Sequence, residues 1–235
     1  FNNYQDSKKI KKITKKFKIN LIEDNAIYFD NYFNANKKKY YSGIFGDFTL
    51  YSFNIMKNIS SLYGGAVSTN EKNFINYCQK EDSKMSQFNL GVLLKQILIF
   101  MILKLMSLRF LYRYFFVYII RYVHKNNIKS ILQLFYPSLK SVRVKFPKYY
   151  FSKISNLSSQ LTYFQLKNKD QRKKLFELRK KKNKYYFKRL SQINNKKFNL
   201  IRIKDYNYQN FLDFPILVKN KKDLNNYLLK RGVEV

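Results

Sequence analysis

The spacing of apolar residues divides the chain into short segments with different periods. In SKKIKKITKKFKI (7–19), Ile10, Ile13 and Phe17 recur at helical spacing among lysines, which predicts an amphipathic surface helix. NLIED (20–24) then breaks that period. It is a short apolar run ending in two carboxylates, and it predicts a buried strand with acid groups at its C-terminal end, where open α/β sheets bind ligands. Residues 27–47, IYFDNYFNANKKKYYSGIFGD, are polar and punctuated by Gly43 and Gly46, which predicts a loop. FTLYSF (48–53) reads as a strand with Ser52 near its end, GGAVSTN (64–70) as a turn into another strand, and EKNFINYCQKED (71–82) as the start of a helix. This succession fits an α/β layered domain.

Residues 90–123, LGVLLKQILIFMILKLMSLRFLYRYFFVYIIRYV, are far more apolar. Lys95, Lys104, Arg109, Arg113 and Arg121 interrupt them, and no charge-free run approaches the ~18 residues of a membrane span. Lys95 and Lys104 fall on opposite sides of an ideal helix, whereas Arg109 and Arg113 share a face. Two consecutive helices breaking near Ser107 fit this pattern. They are either buried helices of a larger core or a patch lying on a membrane surface, with basic groups at the headgroups.

From 153 to 190 the pattern predicts a long helix or a helix pair, with apolar stripes from Leu157, Leu161 and Phe164 and from Leu175 and Leu178. The charged run 179–184 reads as a solvated face. FNLIRI (198–203) and FLDFPILVKN (211–220) predict strands, and KKDLNNYLLKRG (221–232) a helix capped by Gly232.

Composition narrows the function classes. The chain's 235 residues suffice for one large or two small domains, and 46% hydrophobic and 18% aromatic content argues against disorder throughout. Cys78 is the only cysteine, so no disulfide framework exists and a reducing compartment is expected; it reads as an ordinary structural cysteine. His124 is the only histidine, which leaves histidine-cluster zinc sites and Ser-His-Asp triads poorly supported. The net charge of +33 points to phosphate-rich partners. Lys and Arg are nonetheless spread through almost every segment, as AT-rich coding bias would produce, and bias and a selected anion-binding surface both remain open. The chain begins at Phe1 and stops on the strand-like LLKRGVEV, so an internal fragment is expected.

Three residues carry candidate chemistry. Asp24 and Ser52 end predicted strands, and Lys57 follows Ser52 by five residues in a turn. A carboxylate, a hydroxyl and an amine gathered at strand ends meet the needs of pyridoxal 5'-phosphate (PLP). Its ring nitrogen needs an acid partner, its phosphate needs hydrogen-bond donors, and its aldehyde needs a lysine. Taken singly, this pattern is weak.

The order of the surrounding residues adds to it. LIEDNA followed by GIFGDFTLYSFNIMKNISSLYGGAVSTN resembles the DegT family of PLP-dependent nucleotide-sugar aminotransferases. The shared parts, in order, are Ile-Glu-Asp, a Gly-x-Phe-Gly-Asp run, Ser-Phe, a Lys five after the Ser, and Gly-Gly. KISNLSSQLTYFQL, with Gln165 and Leu166, RKKKNKYYFKRL, with Tyr186 four before Leu190, and FPILVKNKKDLNNYLLKRGVEV resemble later family segments more loosely. The resemblance implies a fragment of a fold-type I PLP transferase large domain (1–82), an apolar, basic helical insertion (83–148), linking helices (149–190) and the start of a small C-terminal domain (191–235). It implies that Lys57 is the catalytic, cofactor-linking lysine, that Asp24 pairs the ring nitrogen, that Ser52 binds the phosphate and that Ala26 lies near the ring. It further implies a nucleotide-sugar substrate, glutamate as the amino donor and a homodimer in a cytoplasmic setting. The apolar, basic run 90–123 adds the expectation of a peripheral membrane contact, on its own composition and not on the resemblance. Two positions depart from the family pattern: Ile27 stands where Gln or His is usual, and Phe151 where Asn is often found. The competing expectations are a catalytically degenerate relative acting as a membrane-associated binding protein, and a basic nucleic-acid-binding module. The latter lacks any RNA-recognition or helix-turn-helix signature, so no nucleic-acid partner is expected.

Overall fold

The computed structural model describes residues 6–29, 32–35, 38–55, 57–126, 128, 130–131, 145–193, 198–201, 213–231 and 233. These elements fall into two compact units, Phe1–Asn89 with Ser152–Leu217, and Leu90–Phe151 with Val218–Val235.

The first unit opens with helix α1 (Ser7–Lys16), capped by the Asp6 carboxylate, which accepts from the Lys9 N–H at 3.1 Å. Lys18 then takes a left-handed φ of 54° and ends the helix. No residue of α1 is buried, as expected for a surface helix. Strands β1 (Ile22–Asp24), β2 (Tyr32–Ala35), β3 (Lys38–Tyr41), β4 (Phe48–Ser52) and β5 (Gly65–Thr69) follow, and then helix α2 (Lys72–Lys84). β1, β4 and β5 form one sheet in that order, with β1–β4 parallel and β4–β5 antiparallel. Phe74 of α2 packs edge-on against Phe48, ring centroids 5.0 Å apart, which seats the helix on the sheet.

Two expectations change here. β1 lies at an edge of this sheet and its Ile22 is 59% exposed, so it is not a buried strand among the described residues. The segment expected to be a loop contains β2 and β3, paired antiparallel with Tyr32 opposite Tyr41 and Phe33 opposite Tyr40. Aromatic strand-formers outweigh the polar residues around them.

Asp47 ties the start of the sheet together. Its carboxylate accepts from the Leu21 N–H at 2.7 Å and pairs with Lys11 of α1, and its carbonyl accepts from the Thr69 hydroxyl at 2.7 Å. Gly43 is required where it stands. Its φ is +86°, and a Cβ there would come within 2.4 Å of Asn25 Nδ2 and 2.5 Å of Thr49 Cγ2.

Helices α5 (Asn156–Lys167) and α6 (Lys169–Ser191) form the expected helix pair. Asn168 serves both, ending one with its N–H on the Phe164 carbonyl and capping the other by accepting from the Gln171 N–H at 3.1 Å. Of the expected apolar stripes, Phe164, Leu175 and Leu178 face outward at 65%, 46% and 48% exposure, whereas Leu161 is half-buried. Ser158, Thr162 and Asn183 are buried instead. On α6 the inward-facing line runs Arg172, Phe176, Arg179, Asn183, Phe187, so the run 179–184 is only partly a solvated face. Helical period, not residue polarity, sets which side is covered. β6 (Phe198–Leu200) and β7 (Ile216–Val218) pair as a two-stranded sheet shorter than predicted. Residues 202–212 lie outside the described residues, as does the Gly232 cap of the helix Lys221–Lys230.

The second unit contains α3 (Leu90–Met106) and α4 (Arg109–Lys125, with a π-turn at Tyr112–Phe116), bent by 79° across Ser107–Leu108. This is the break expected near Ser107. Met106 and Ile120 form the packed elbow with Leu103, Tyr112 and Phe116. Among the described residues no single helix is long and apolar enough to cross a membrane, and this bent pair meets that length and composition only when its two helices are taken together.

The Asp47 carboxyl is held below its ordinary value, first by the Lys11 hydrogen bond and then by the Leu21 N–H. A depressed folded-state value gives stability that is complete above the unfolded value and is lost as pH falls through the folded one. Asp47→Asn is therefore expected to cost about 1 kcal/mol at neutral pH. The gap from the parent should narrow as the solution is acidified. Urea titrations at neutral and acid pH measure both, and a pH-independent gap refutes the assignment.

Candidate active site

The parallel register of β1 on β4 sets Ile22 opposite Phe48, Glu23 opposite Thr49 and Asp24 opposite Leu50. Asp24 and Ser52 therefore finish neighbouring strands at the same end of the sheet. Ser52 is in turn opposite Gly65, where β5 begins. Residues 53–64 connect those two strand ends and carry Lys57. The structure thus brings Asp24, Ser52 and the loop of Lys57 to one sheet end, with Ala26 in the turn just after Asp24.

The two adjacent carboxylates have separate tasks. Glu23 Oε2 accepts from the Phe45 N–H at 2.9 Å and the Gly46 N–H at 2.6 Å, so it is consumed in shaping the Gly43–Gly46 loop. Successive strand residues face opposite sides. Asp24 accordingly points elsewhere and is exposed. Its Oδ1 accepts from the Ala26 N–H at 2.9 Å, and its second oxygen has no hydrogen-bond partner among the described residues.

The Lys57 loop is fixed from three directions. At its base, the Phe53 N–H donates to the Gly64 carbonyl at 2.9 Å and the Ser61 N–H to the Phe53 carbonyl at 2.8 Å. The fully buried Ser61 hydroxyl also lies 3.0 Å from the carbonyls of Phe53 and Tyr63. Phe53, Ile59 and Leu62 bury their side chains beneath it. From α5, the Gln165 amide makes a two-way clamp on one peptide: Nε2 donates to the Ser60 carbonyl at 2.7 Å and Oε1 accepts from the Ser60 N–H at 3.0 Å. From α6, Arg179 donates to Asn58 Oδ1 at 2.7 Å. Asn58 Nδ2 in turn reaches the carbonyls of Ile27 and Phe29, both at 3.3 Å. The residue after Lys57 is thereby bonded to the residue three after Asp24.

Arg179 is half-buried, and burial lowers its pKa. A guanidinium still holds its proton in proteins, and here it spends one donor on Asn58. Arg172, one helical repeat earlier, stacks its guanidinium 5.9 Å from the Phe29 ring centroid and donates to the Leu166 carbonyl at 2.7 Å. Lys57 itself is half-buried. Leu62 adopts a left-handed φ of +68° and Gly64 a φ of +115°. A Cβ on Gly64 would stand 2.8 Å from Ile154 Cδ1. A buried leucine in that region is held by its surroundings and marks a locally constrained loop.

Sequence reasoning missed Asn58 and Arg179, and it gave Gln165 no role. One signal for Arg179 was available: Arg172, Phe176, Arg179 and Asn183 share a helix face.

Gln165→Ala leaves both polar groups of the Ser60 peptide without this partner. It is expected to cost about 1–3 kcal/mol and to speed amide hydrogen exchange within 57–62 more than elsewhere. Uniform exchange across the chain in this variant rules out a local clamp.

Residues 3–89 match the model of the DegT/DnrJ/EryC1/StrS aminotransferase family. No curated protein matches the chain's sequence. Among solved structures, E. coli GDP-4-keto-6-deoxy-D-mannose-3-dehydratase with bound hydrated PLP aligns with a TM-score of 0.56 at 18% identity, covering 99% of this chain and 50% of that one. Helicobacter pylori PseC, an aminotransferase involved in the biosynthesis of pseudoaminic acid, aligns with a TM-score of 0.51 at 17% identity, covering 98% of this chain and 48% of that one. The chain thus spans about half the length of these two structures. At these identities the likeness shows a shared fold, that of fold-type I PLP enzymes.

Proposed function

From the match of residues 3–89 to the DegT/DnrJ/EryC1/StrS aminotransferase family, we propose that the chain is part of a PLP-dependent enzyme of amino-sugar biosynthesis. It transfers an amino group from glutamate to a keto sugar carried on a nucleotide. The observation that carries this reading is the parallel register that ends β1 at Asp24 beside the end of β4 at Ser52, with Lys57 in the braced loop that follows.

The residues present fit the cofactor by the chemistry of their donors: a carboxylate with one open oxygen, a hydroxyl and an amine at one sheet end. When bound, PLP supplies an electron sink for charge developing on the substrate carbon. Asp24 would pair with the ring nitrogen, and its Ala26 N–H bond orients the carboxylate for that task. Ser52 would offer its hydroxyl to the phosphate. Lys57 would hold the aldehyde end of the cofactor through Nζ, an amine that could also carry a proton beside the substrate carbon. Ala26 adds only a methyl group beside the ring. Ile27, where the family pattern has Gln or His, offers no side-chain hydrogen bond to the ring hydroxyl; its carbonyl is engaged by Asn58. The single cysteine suits a reducing, cytoplasmic setting. The active protein is a homodimer, and the basic surface favours a phosphate-bearing substrate.

Borohydride reduction of the full-length protein with PLP, followed by peptide mapping, is expected to place the pyridoxyl label on Lys57. A label on another lysine overturns the assignment. In Asp24→Asn, PLP absorbance should persist while turnover falls at least about a hundredfold. Near-parent turnover with bound PLP would remove Asp24 from the mechanism.

A further inference from the structure

The second unit carries a feature that the chemistry at Lys57 does not use. Helix α3 is apolar on nearly every side, a composition that requires cover by a protein core or by lipid. Yet only Met106 of that helix is buried. Leu90, Leu94, Leu98, Met101 and Leu105 recur at spacings of four, four, three and four, and all are 47–66% exposed. On α4, Phe110, Tyr114, Phe115, Tyr118, Ile119 and Tyr122 are 51–66% exposed. Among the described residues the two helices pack on each other at the elbow, where Met106 and Ile120 meet Leu103, Tyr112 and Phe116, and Val117 and Val123 are the other buried apolar residues of α4. An uncovered apolar surface on this scale marks an interaction site.

Charge distinguishes the possible occupants. No Asp or Glu occurs between Asp82 and Asp170, while Lys95, Lys104, Arg109, Arg113, Arg121 and Lys125 punctuate the two helices. A second copy docking through the same face would bring these cations against their own equivalents, with no carboxylate from either copy's helices to answer them. Burial in a protein core would leave several cations unpaired, which is strongly unfavourable. An anionic lipid surface removes both difficulties. The Lys and Arg stems lie along apolar surface while their heads reach the headgroup phosphates. Tyrosines such as Tyr114, Tyr118 and Tyr122 have an apolar ring and a polar tip, the form enriched at the membrane–water boundary.

We propose that residues 90–125 form an interfacial anchor: two bent helices that lie in the surface of an anionic bilayer and hold the protein there without spanning it. The anchor is independent of the reaction at the sheet end.

The test uses full-length protein and sedimentation with two kinds of vesicle, phosphatidylcholine alone and phosphatidylcholine mixed with phosphatidylglycerol. Partition onto the anionic vesicles is expected to exceed that onto the neutral ones by about tenfold or more, and to weaken as salt rises. Leu94→Glu combined with Phe110→Glu and Tyr118→Glu places carboxylates only at exposed positions. It should lower partition at least about tenfold and leave the thermal unfolding transition unchanged. Protein that stays in the supernatant with anionic vesicles overturns the proposal, as does a triple variant that binds as the parent does. A vesicle-independent dimer that the same substitutions dissociate also overturns it, and assigns the face to contact between copies.

Discussion

The parallel pairing of β1 with β4 is the constraint on which the site depends. Side chains alternate across a strand, so the register that puts Glu23 opposite Thr49 also decides that Glu23 serves the Gly43–Gly46 loop and Asp24 does not. A slip of one residue would exchange the two carboxylates. The one that shapes a loop would lose its amide donors, and the one left open would turn toward them. Much of the surrounding structure defends that register. Asp47 fixes the chain entering β1 through the Leu21 N–H, and the Asn25 N–H continues the pairing onto the Leu50 carbonyl at 2.8 Å. Gly43 admits the tight approach of Asn25 and Thr49 that any side chain would block.

Holding Lys57 is a different problem, because it sits in a loop rather than on a strand. Loop backbone must find hydrogen-bond partners outside any ladder, and here they come from side chains. Gln165 answers the Ser60 peptide in both directions, Ser61 answers two carbonyls, and Asn58 spans to Ile27 and Phe29. These bonds brace the described part of the loop from several sides, as a group that must meet a reacting carbon requires. α5 and α6 are thus part of the site although neither carries a proposed catalytic residue. The most buried residues on the faces they turn inward are small or polar, Ser158, Thr162 and Asn183.

What could be read from the sequence follows from this division of labour. Period and punctuation located α1, β4, β5, α2, the break after α3 and the pairing of α5 with α6, because each depends on local pattern. Asp24, Ser52 and Lys57 were singled out as strand-end and turn residues, but their proposed roles came from the resemblance of the residues around them to the DegT family. The β2–β3 pair was hidden because Asn and Lys interrupt its aromatic residues. The inward line of α6 was hidden for a stronger reason: its members are Arg172, Phe176, Arg179 and Asn183, and a search for apolar stripes selects Leu175 and Leu178 on the outer face instead. A helix that packs through hydrogen bonds leaves little hydrophobic trace.

That point bears on the chain's large positive charge. Coding bias toward lysine explains a general excess, but it does not explain which cations acquire partners. Arg179 is half-buried against Asn58, and Arg172 combines a stack on Phe29 with a bond to the Leu166 carbonyl. A planar guanidinium does both at once, and a lysine ammonium cannot stack in that way. Lys11, by contrast, meets Asp47 as a simple point charge, a task suited to lysine. Basic residues in the first unit are thus differentiated by the geometry each position demands. Those of α3 and α4 stand among exposed leucines and tyrosines, on helices with no carboxylate of their own to meet them. The same composition therefore serves two physical ends: in one unit it braces the loop of the proposed catalytic lysine, and in the other it sets basic residues among exposed leucines and tyrosines.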